Sequence, residues 1–309
     1  MTRVWVSGSL AYDRIMDYPG RFGDHIDPTK THILNLSFAV PTLQQTYGGT
    51  AGNIAYGLTQ LGCHCGVVAS LGADGTMYLK RLRILKVYTK HVQMVGTLPT
   101  AGAYVITDRD DNQITGFVVG AASQLPKPPT TRPGDWGMVA AEQGRNMGLL
   151  AKHYASRGSP YVFDPGQALT DITVADLRFC IAKAKVVVSN DYEMSIIARR
   201  SRVKFGSDQI IITTLGAQGS LVATAGKTLR VRAAKAASVV DPTGAGDAYR
   251  AGLMKGLIEG WPLVRTAQLA SVVASYAVEA LGTQTYTFTI KEITNRYYET
   301  FKEKLAYSR

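Results

Sequence analysis

Five short apolar runs recur along the chain: Val4-Trp5-Val6, Gly66-Val67-Val68-Ala69, Tyr161-Val162-Phe163, Val186-Val187-Val188 and Ile210-Ile211-Ile212. Each ends in polar, Gly or Asp residues. Runs that are apolar at every position suit strands buried on both faces, as in a parallel sheet. Between the first two, Ile54, Leu58 and Leu61 follow helical spacing and Gly62 supplies a stop. Strand and helix in alternation predict an α/β fold, a doubly wound and mostly parallel sheet flanked by helices. At 309 residues the chain can bury a sizeable core and has room for one large domain with a small appendage.

Two segments break this rhythm, and no helix separates the strands within them. Around Ile33 to Thr46 the pattern alternates loosely, with Leu34, Leu36 and Phe38 on one side. From Gly96 to Val119 it reads as a hairpin: Ala103 to Thr107, a turn at Asp108 to Asn112, then Ile114 to Val119. These predict one small β-sheet inserted into the core, over residues 15–47 and 96–120. The core domain takes 1–14, 48–95 and 121–309. A lid that closes a cleft against water is the natural role of such an insertion; a plain edge sheet is the alternative.

Composition removes several classes of function. Hydrophobic residues make up 46% and charged residues 18%, which argues against disorder. Three cysteines, Cys63, Cys65 and Cys180, do not make a disulfide framework and fit a reducing cytoplasm. Cys63-His64-Cys65 lacks the second Cys/His cluster that structural zinc needs. Leu269 to Val278 is far shorter than the ~18–20 residues of a membrane span, so no membrane partner is expected. The net charge of +11 suits a polyanionic small substrate as well as it suits nucleic acid. The basic residues are scattered except at Arg199 to Lys204, with no aromatic interleaving, so no nucleic-acid partner is expected.

The chemistry concentrates in Asp241-Pro242-Thr243-Gly244-Ala245-Gly246-Asp247-Ala248-Tyr249-Arg250-Ala251-Gly252. Gly244 and Gly246 permit a tight turn. A helix follows, with Ala248, Gly252 and Gly256 as a small row and Tyr249, Leu253 and Leu257 as a large one. A glycine turn opening a helix presents unpaired N–H groups at the positive end of the dipole, an anion site. A carboxylate beside an anion site makes sense if a hydroxyl is deprotonated while charge develops on a transferring phosphoryl group. The segment lacks the Gly-Lys-Ser/Thr ending of a Walker A loop and the spacing of a dinucleotide fingerprint.

This segment resembles the second signature of the PfkB/ribokinase family of carbohydrate kinases. The resemblance implies a ribokinase-like fold with a β lid, Asp247 as catalytic base, and Gly244, Ala245 and Gly246 as the anion hole. Four further segments follow in family order. Tyr47 to Ala55 is similar to the first signature, which makes Gly48 and Gly49 the lid hinge and places Gly49 and Asn53 on the acceptor's hydroxyls. Gly8 to Asp13 follows the first strand, where Asp13 would accept from two vicinal hydroxyls. Asn190-Asp191-Tyr192-Glu193 matches the Asn-x-x-Glu motif, linked to phosphate placement and to magnesium, with Glu193 acting through water. Thr214 to Gly219 resembles the nucleotide-binding turn, with Gly216 and Gly219 allowing close approach of ATP.

The resemblance implies ATP as co-substrate with Mg2+, and a monovalent cation such as K+ near Asp241 and Thr243. The opening Gly8 to Asp13, the form of Gly246 to Gly252, and Gly282-Thr283-Gln284 are most similar to bacterial adenosine-kinase-like members. The expected acceptor is therefore the 5′-hydroxyl of adenosine or a related nucleoside, with a sugar such as ribose or fructose as the alternative and a non-catalytic relative as a lower one. Phe38, Tyr104 and Phe117 are the lid aromatics available to stack on a base. The chain is expected to act as a monomer or as a homodimer through the lid, where Leu34 and Leu36 would meet a partner.

Overall fold

The computed structural model describes residues 2–26, 36–305 and 307. Two sheets organise them. The large one has nine strands. Its parallel part comprises β1 (Val4–Ser7), β4 (Cys65–Gly72), β5 (Tyr88–Val95), β8 (Trp136–Val139), β9 (Tyr161–Phe163), β10 (Val186–Asn190) and β11 (Ile210–Thr214). Two antiparallel strands, β12 (Ser220–Thr224) and β13 (Lys227–Val231), extend one edge, giving the order β13-β12-β11-β10-β9-β8-β1-β4-β5.

The five apolar runs are strands of this sheet, and the two-sided burial has a direct cause. In β1, Val4 and Val6 join one apolar cluster while Trp5 joins the other. In β10, Val186 and Val188 face one way and Val187 the other. The first cluster lies under α1 (Thr50–Gln60), α2 (Thr76–Ile84), α6 (Ala245–Ile258), α7 (Leu263–Val278) and α8 (Ile290–Phe301). The second lies under α3 (Gly144–Ser156), α4 (Val174–Lys183) and α5 (Asp191–Ser201). Each fully buried Leu or Ile contributes about 1.5–3 kcal/mol. Among the described residues no helix is long and apolar enough to cross a membrane.

The chain winds from β1 to β4 and β5 on one side, then to β8, β9, β10 and β11 on the other. The reversal at β1 opens a crevice beyond the carboxyl ends of these strands, where ligands of such sheets bind.

The small sheet has the order β3-β2-β6-β7, with β2 at Ala11–Asp17, β3 at Gln44–Gly48, β6 at Ala101–Thr107 and β7 at Gln113–Val118. The hairpin of β6 and β7 lies where the sequence predicts it. Three expectations shift. First, β2 starts at Ala11, only three residues after β1, so Asp13 is a strand residue of the small sheet and not part of a core loop. Second, among the described residues before Gln44 in the loosely alternating segment there is no strand. Third, Ile33 and Leu34 lie outside the described residues, so the lid contact expected of Leu34 does too.

Candidate active site

The helix α6 begins where the glycine turn predicts. Gly244 is its N-cap with φ 79°, a left-handed conformation that a side chain would strain. The first-turn N–H groups have no intrahelical acceptor. That of Ala245 turns to the Pro242 carbonyl at 3.2 Å, while among the described residues those of Gly246 and Asp247 have no backbone acceptor. Upstream, the Asp241 carboxylate ties the loop down, accepting from Thr243 N at 2.8 Å and Gly282 N at 3.0 Å. Burial alone would raise the Asp241 pKa, but these hydrogen bonds outweigh it and lower it.

Asp247 stands in the first turn of α6. The Asn53 Nδ2 donates to its Oδ2 at 2.8 Å, and among the described residues the other oxygen accepts no hydrogen bond. Burial pushes its carboxyl up to about 6. The nearby Arg250 guanidinium and the Asn53 hydrogen bond pull it down, and Asp164 and Asp13 push it further up. A carboxylate with this value is ionised at neutral pH yet basic enough to accept a proton.

Asp13 faces this group from the small sheet. Burial raises its carboxyl pKa, and the charge of Asp241 adds to that rise. Gly48 lies so close that a Cβ there would collide with the Asp13 carboxylate. Next to it, Gly49 has φ 84°, and a Cβ on it would meet the Ser9 carbonyl at 2.5 Å. Gly48 is thus required by the Asp13 carboxylate and Gly49 by the backbone of Ser9 to Ala11. Asn53, expected on the acceptor's hydroxyls, donates to Asp247 in this structure.

On the other side, Asn190 and Thr214 are paired neighbours at the ends of β10 and β11. Gly216 and Gly219 both have positive φ in the turn that follows, at 56° and 91°. Asn190 caps α5: its Oδ1 accepts from Glu193 N at 2.7 Å, and Glu193 Oε2 accepts from Asn190 N at 2.9 Å. This capping box, worth about 1 kcal/mol, occupies one oxygen of Glu193. The other oxygen suits the water shell of a hydrated magnesium ion better than direct ligation, as Mg2+ keeps several waters. Among the described residues no group of three or more His, Cys, Asp or Glu side chains is arranged to hold a metal.

Three features escaped the sequence reading. Arg250 of α6 is paired with Asp164, just after β9, through Nη2 to Oδ1 at 2.7 Å and through Nε to Oδ2. Both side chains are at least nine-tenths buried. A lone arginine in an Ala/Gly-rich helix face was the available signal that a buried acid must exist. Second, Glu142 follows β8 at the crevice, where burial pushes its carboxyl up to about 8. Its Oε1 is buried with no hydrogen-bond partner among the described residues. Third, Gln284 joins Asn53 to more distant groups, described below.

Comparisons with known proteins identify the family of the chain. The profile of the pfkB family of carbohydrate kinases matches residues 1–289, and the chain belongs to that family. The nucleoside kinase of Burkholderia thailandensis, solved in complex with inosine, is 33% identical. It superposes with a TM-score of 0.86 over 98% of this chain and 100% of that one. The nucleoside kinase structure of Methanocaldococcus jannaschii is 27% identical with a TM-score of 0.86, covering 97% of this chain and 99% of the other. A nucleoside kinase of Methanothermobacter thermautotrophicus is 30% identical over 81% of this chain and 84% of its own length. The ribokinase-like fold expected from the sequence is thereby established, and the chain is a phosphotransferase that acts on a hydroxyl group.

Proposed function

We propose that this protein is an ATP-dependent nucleoside kinase that phosphorylates the 5′-hydroxyl of adenosine or a related purine nucleoside. The observation that carries this is Asp247 itself: a carboxylate with one free oxygen, standing beside open N–H groups at a helix start. The nucleoside oxygen attacks the γ-phosphorus and its proton passes to Asp247. The bond to the β-phosphate oxygen breaks and ADP leaves. Gly244, Ala245 and Gly246 form the turn whose N–H groups meet the developing charge. Asp13, next to Gly48 and Gly49, holds the ribose hydroxyls. Thr214, Gly216 and Gly219 lie along ATP, and Asn190 and Glu193 hold a hydrated Mg2+ that neutralises phosphate charge when bound. A K+ ion near Asp241 and Thr243 belongs to the same reading, as does a cytoplasmic setting for three free thiols.

The register of the small sheet supports Phe117 as the base-stacking residue. Asp13 pairs with Ala103, and Ala103 with Phe117. Directly paired residues share a face, so Phe117 is on the Asp13 face. Tyr104 pairs with Arg14 and lies on the opposite face, under the Arg14 guanidinium at 4.9 Å. Phe38 is committed to a cluster with Tyr18, at 4.6 Å, and Phe22. Phe117 is 54% exposed and free to receive a purine. Phe117→Ala raises the nucleoside KM about 10-fold or more, since base stacking is worth about 1–3 kcal/mol, and leaves ribose phosphorylation unchanged. An unchanged nucleoside KM would remove Phe117 from the pocket.

The reaction also has a pH signature. A base must be ionised, so activity is present above the Asp247 pKa and lost as pH falls through about 6. The expected kcat/KM profile has a single-proton acid limb there. The direct test is ADP formation from MgATP across a panel of nucleosides and sugars. Turnover of ribose or fructose with none of adenosine or inosine overturns the acceptor. Sedimentation of the free protein reads the remaining choice between a monomer and a homodimer through the lid.

A further inference from the structure

Behind Asp247 a chain of buried polar groups runs to both α2 and the start of α1. Gln284 Nε2 donates to Asn53 Oδ1 at 3.1 Å and to the Tyr78 hydroxyl at 2.8 Å. The Tyr78 hydroxyl donates to the Gly48 carbonyl at 2.6 Å. Arg81 closes the far end, giving Nε to Gln284 Oε1 at 3.2 Å and Nη2 to the Gln284 carbonyl at 2.9 Å. Asn53, Gln284 and Tyr78 are 6%, 4% and 0% exposed, so water does not compete for these groups. A methyl added at Gly52 would collide with the Tyr78 hydroxyl and come within 2.9 Å of the Gln284 amide, so α1 itself leaves room for the chain.

The donors fix a direction. Two amides, Asn53 and Gln284, each have two nearly isosteric orientations. Arg81 has only donors, so Gln284 must turn its oxygen to Arg81 and its nitrogen inward. Asn53 must then turn its oxygen to Gln284 and its nitrogen to Asp247. We propose that Gln284, set by Arg81, is a positioning residue that orients the Asn53 amide so that it donates to Asp247 and keeps one carboxylate oxygen ionised and free toward the acceptor hydroxyl. The Tyr78 arm ties the same relay to the Gly48 carbonyl at the lid hinge. This inference deepens the kinase reading and rests on it only for its catalytic consequence.

The test is the titration of the Asp247 carboxyl, followed by carbon-13 NMR of aspartate-labelled protein and assigned with Asp247→Asn. It needs no turnover, so it reads the relay whether or not nucleosides are substrates. Gln284→Glu replaces the inward donor with an acceptor, so Asn53 turns over and presents oxygen to Asp247. The midpoint then rises by about one unit or more, and the acid limb of kcat rises with it while the KM for ATP holds. A midpoint unmoved from wild type overturns the proposal, even if kcat falls. In the Asn53→Ala background the same change is expected to add a clearly smaller shift, the part due to the new charge alone. A shift there as large as in the wild-type background is through-space charge and also overturns it. If Gln284→Glu does not fold, Arg81→Met is read in the same cycle with the same two outcomes.

Discussion

Asp247→Asn lowers kcat by about 10²–10⁴, the usual share of a general base, and leaves both KM values near wild type. The geometry separates these effects. Asp247 is the acidic residue in the first turn of α6, whereas the proposed reading gives the ribose contact to Asp13 and the nucleotide contacts to the paired ends of β10 and β11. Asparagine keeps an acceptor oxygen for the Asn53 amide, so the surroundings are not disturbed. The variant also carries a stability signature. Burial raises the Asp247 pKa in the folded state, to about 6. The folded protein therefore binds more protons than the unfolded chain between the ordinary aspartate value and 6. Stability contributed by this group is present below that window and declines as pH rises through it. Asp247→Asn removes this dependence. Single-turnover kinetics and urea titrations at pH 5 and pH 8 check both parts. Near-normal turnover would mean that another group takes the proton.

Asp164→Ala destabilises the fold by about 3–5 kcal/mol, the range for removing one partner of a buried ion pair. Arg250 is 7% exposed and would keep its charge without its hydrogen-bonded acid, Asp247 and Glu193 acting on it only through space. The paired change Asp164→Leu with Arg250→Met recovers most of that loss, because neither charge is left behind. Urea unfolding of the three variants decides this, and a loss under about 1 kcal/mol for Asp164→Ala would class the pair with exposed bridges. Arg250→Met alone has a second readout. It removes the positive charge that pulls the Asp247 pKa down, so the acid limb of kcat moves above about 6.

Much of the fold was legible because parallel strands leave a local mark. β1 and β10 must be apolar at successive positions to serve two cores, and that pattern needs no partner to be seen. The α6 turn was legible for the same reason: Gly244, Gly246 and Asp247 are adjacent and their chemistry is set by backbone geometry. The position of Asp13 was misjudged because only three residues separate β1 from β2, too few to signal a change of sheet. The strands β12 and β13 alternate with polar residues and escaped notice beside the fully apolar runs. The Arg250–Asp164 pair and the Gln284–Asn53 bond span 86 and 231 residues. Pairings at that separation are created by tertiary packing and leave no spacing to read. Glu142 looked like an ordinary charged residue after a strand, since nothing local shows that its carboxyl is buried.

Asp13 stands on the small sheet and Asp247 on the large domain, so on the proposed reading the grip on the acceptor and the base belong to different bodies. ATP arriving without a nucleoside meets only half of the machinery. A water molecule in place of the sugar cannot span the gap from Asp13 to Asp247 as a ribose does, so it is neither held nor aligned. On that reading the division is a safeguard on cellular energy: the nucleotide would be spent when an acceptor links the two carboxylates, and idle hydrolysis would stay low.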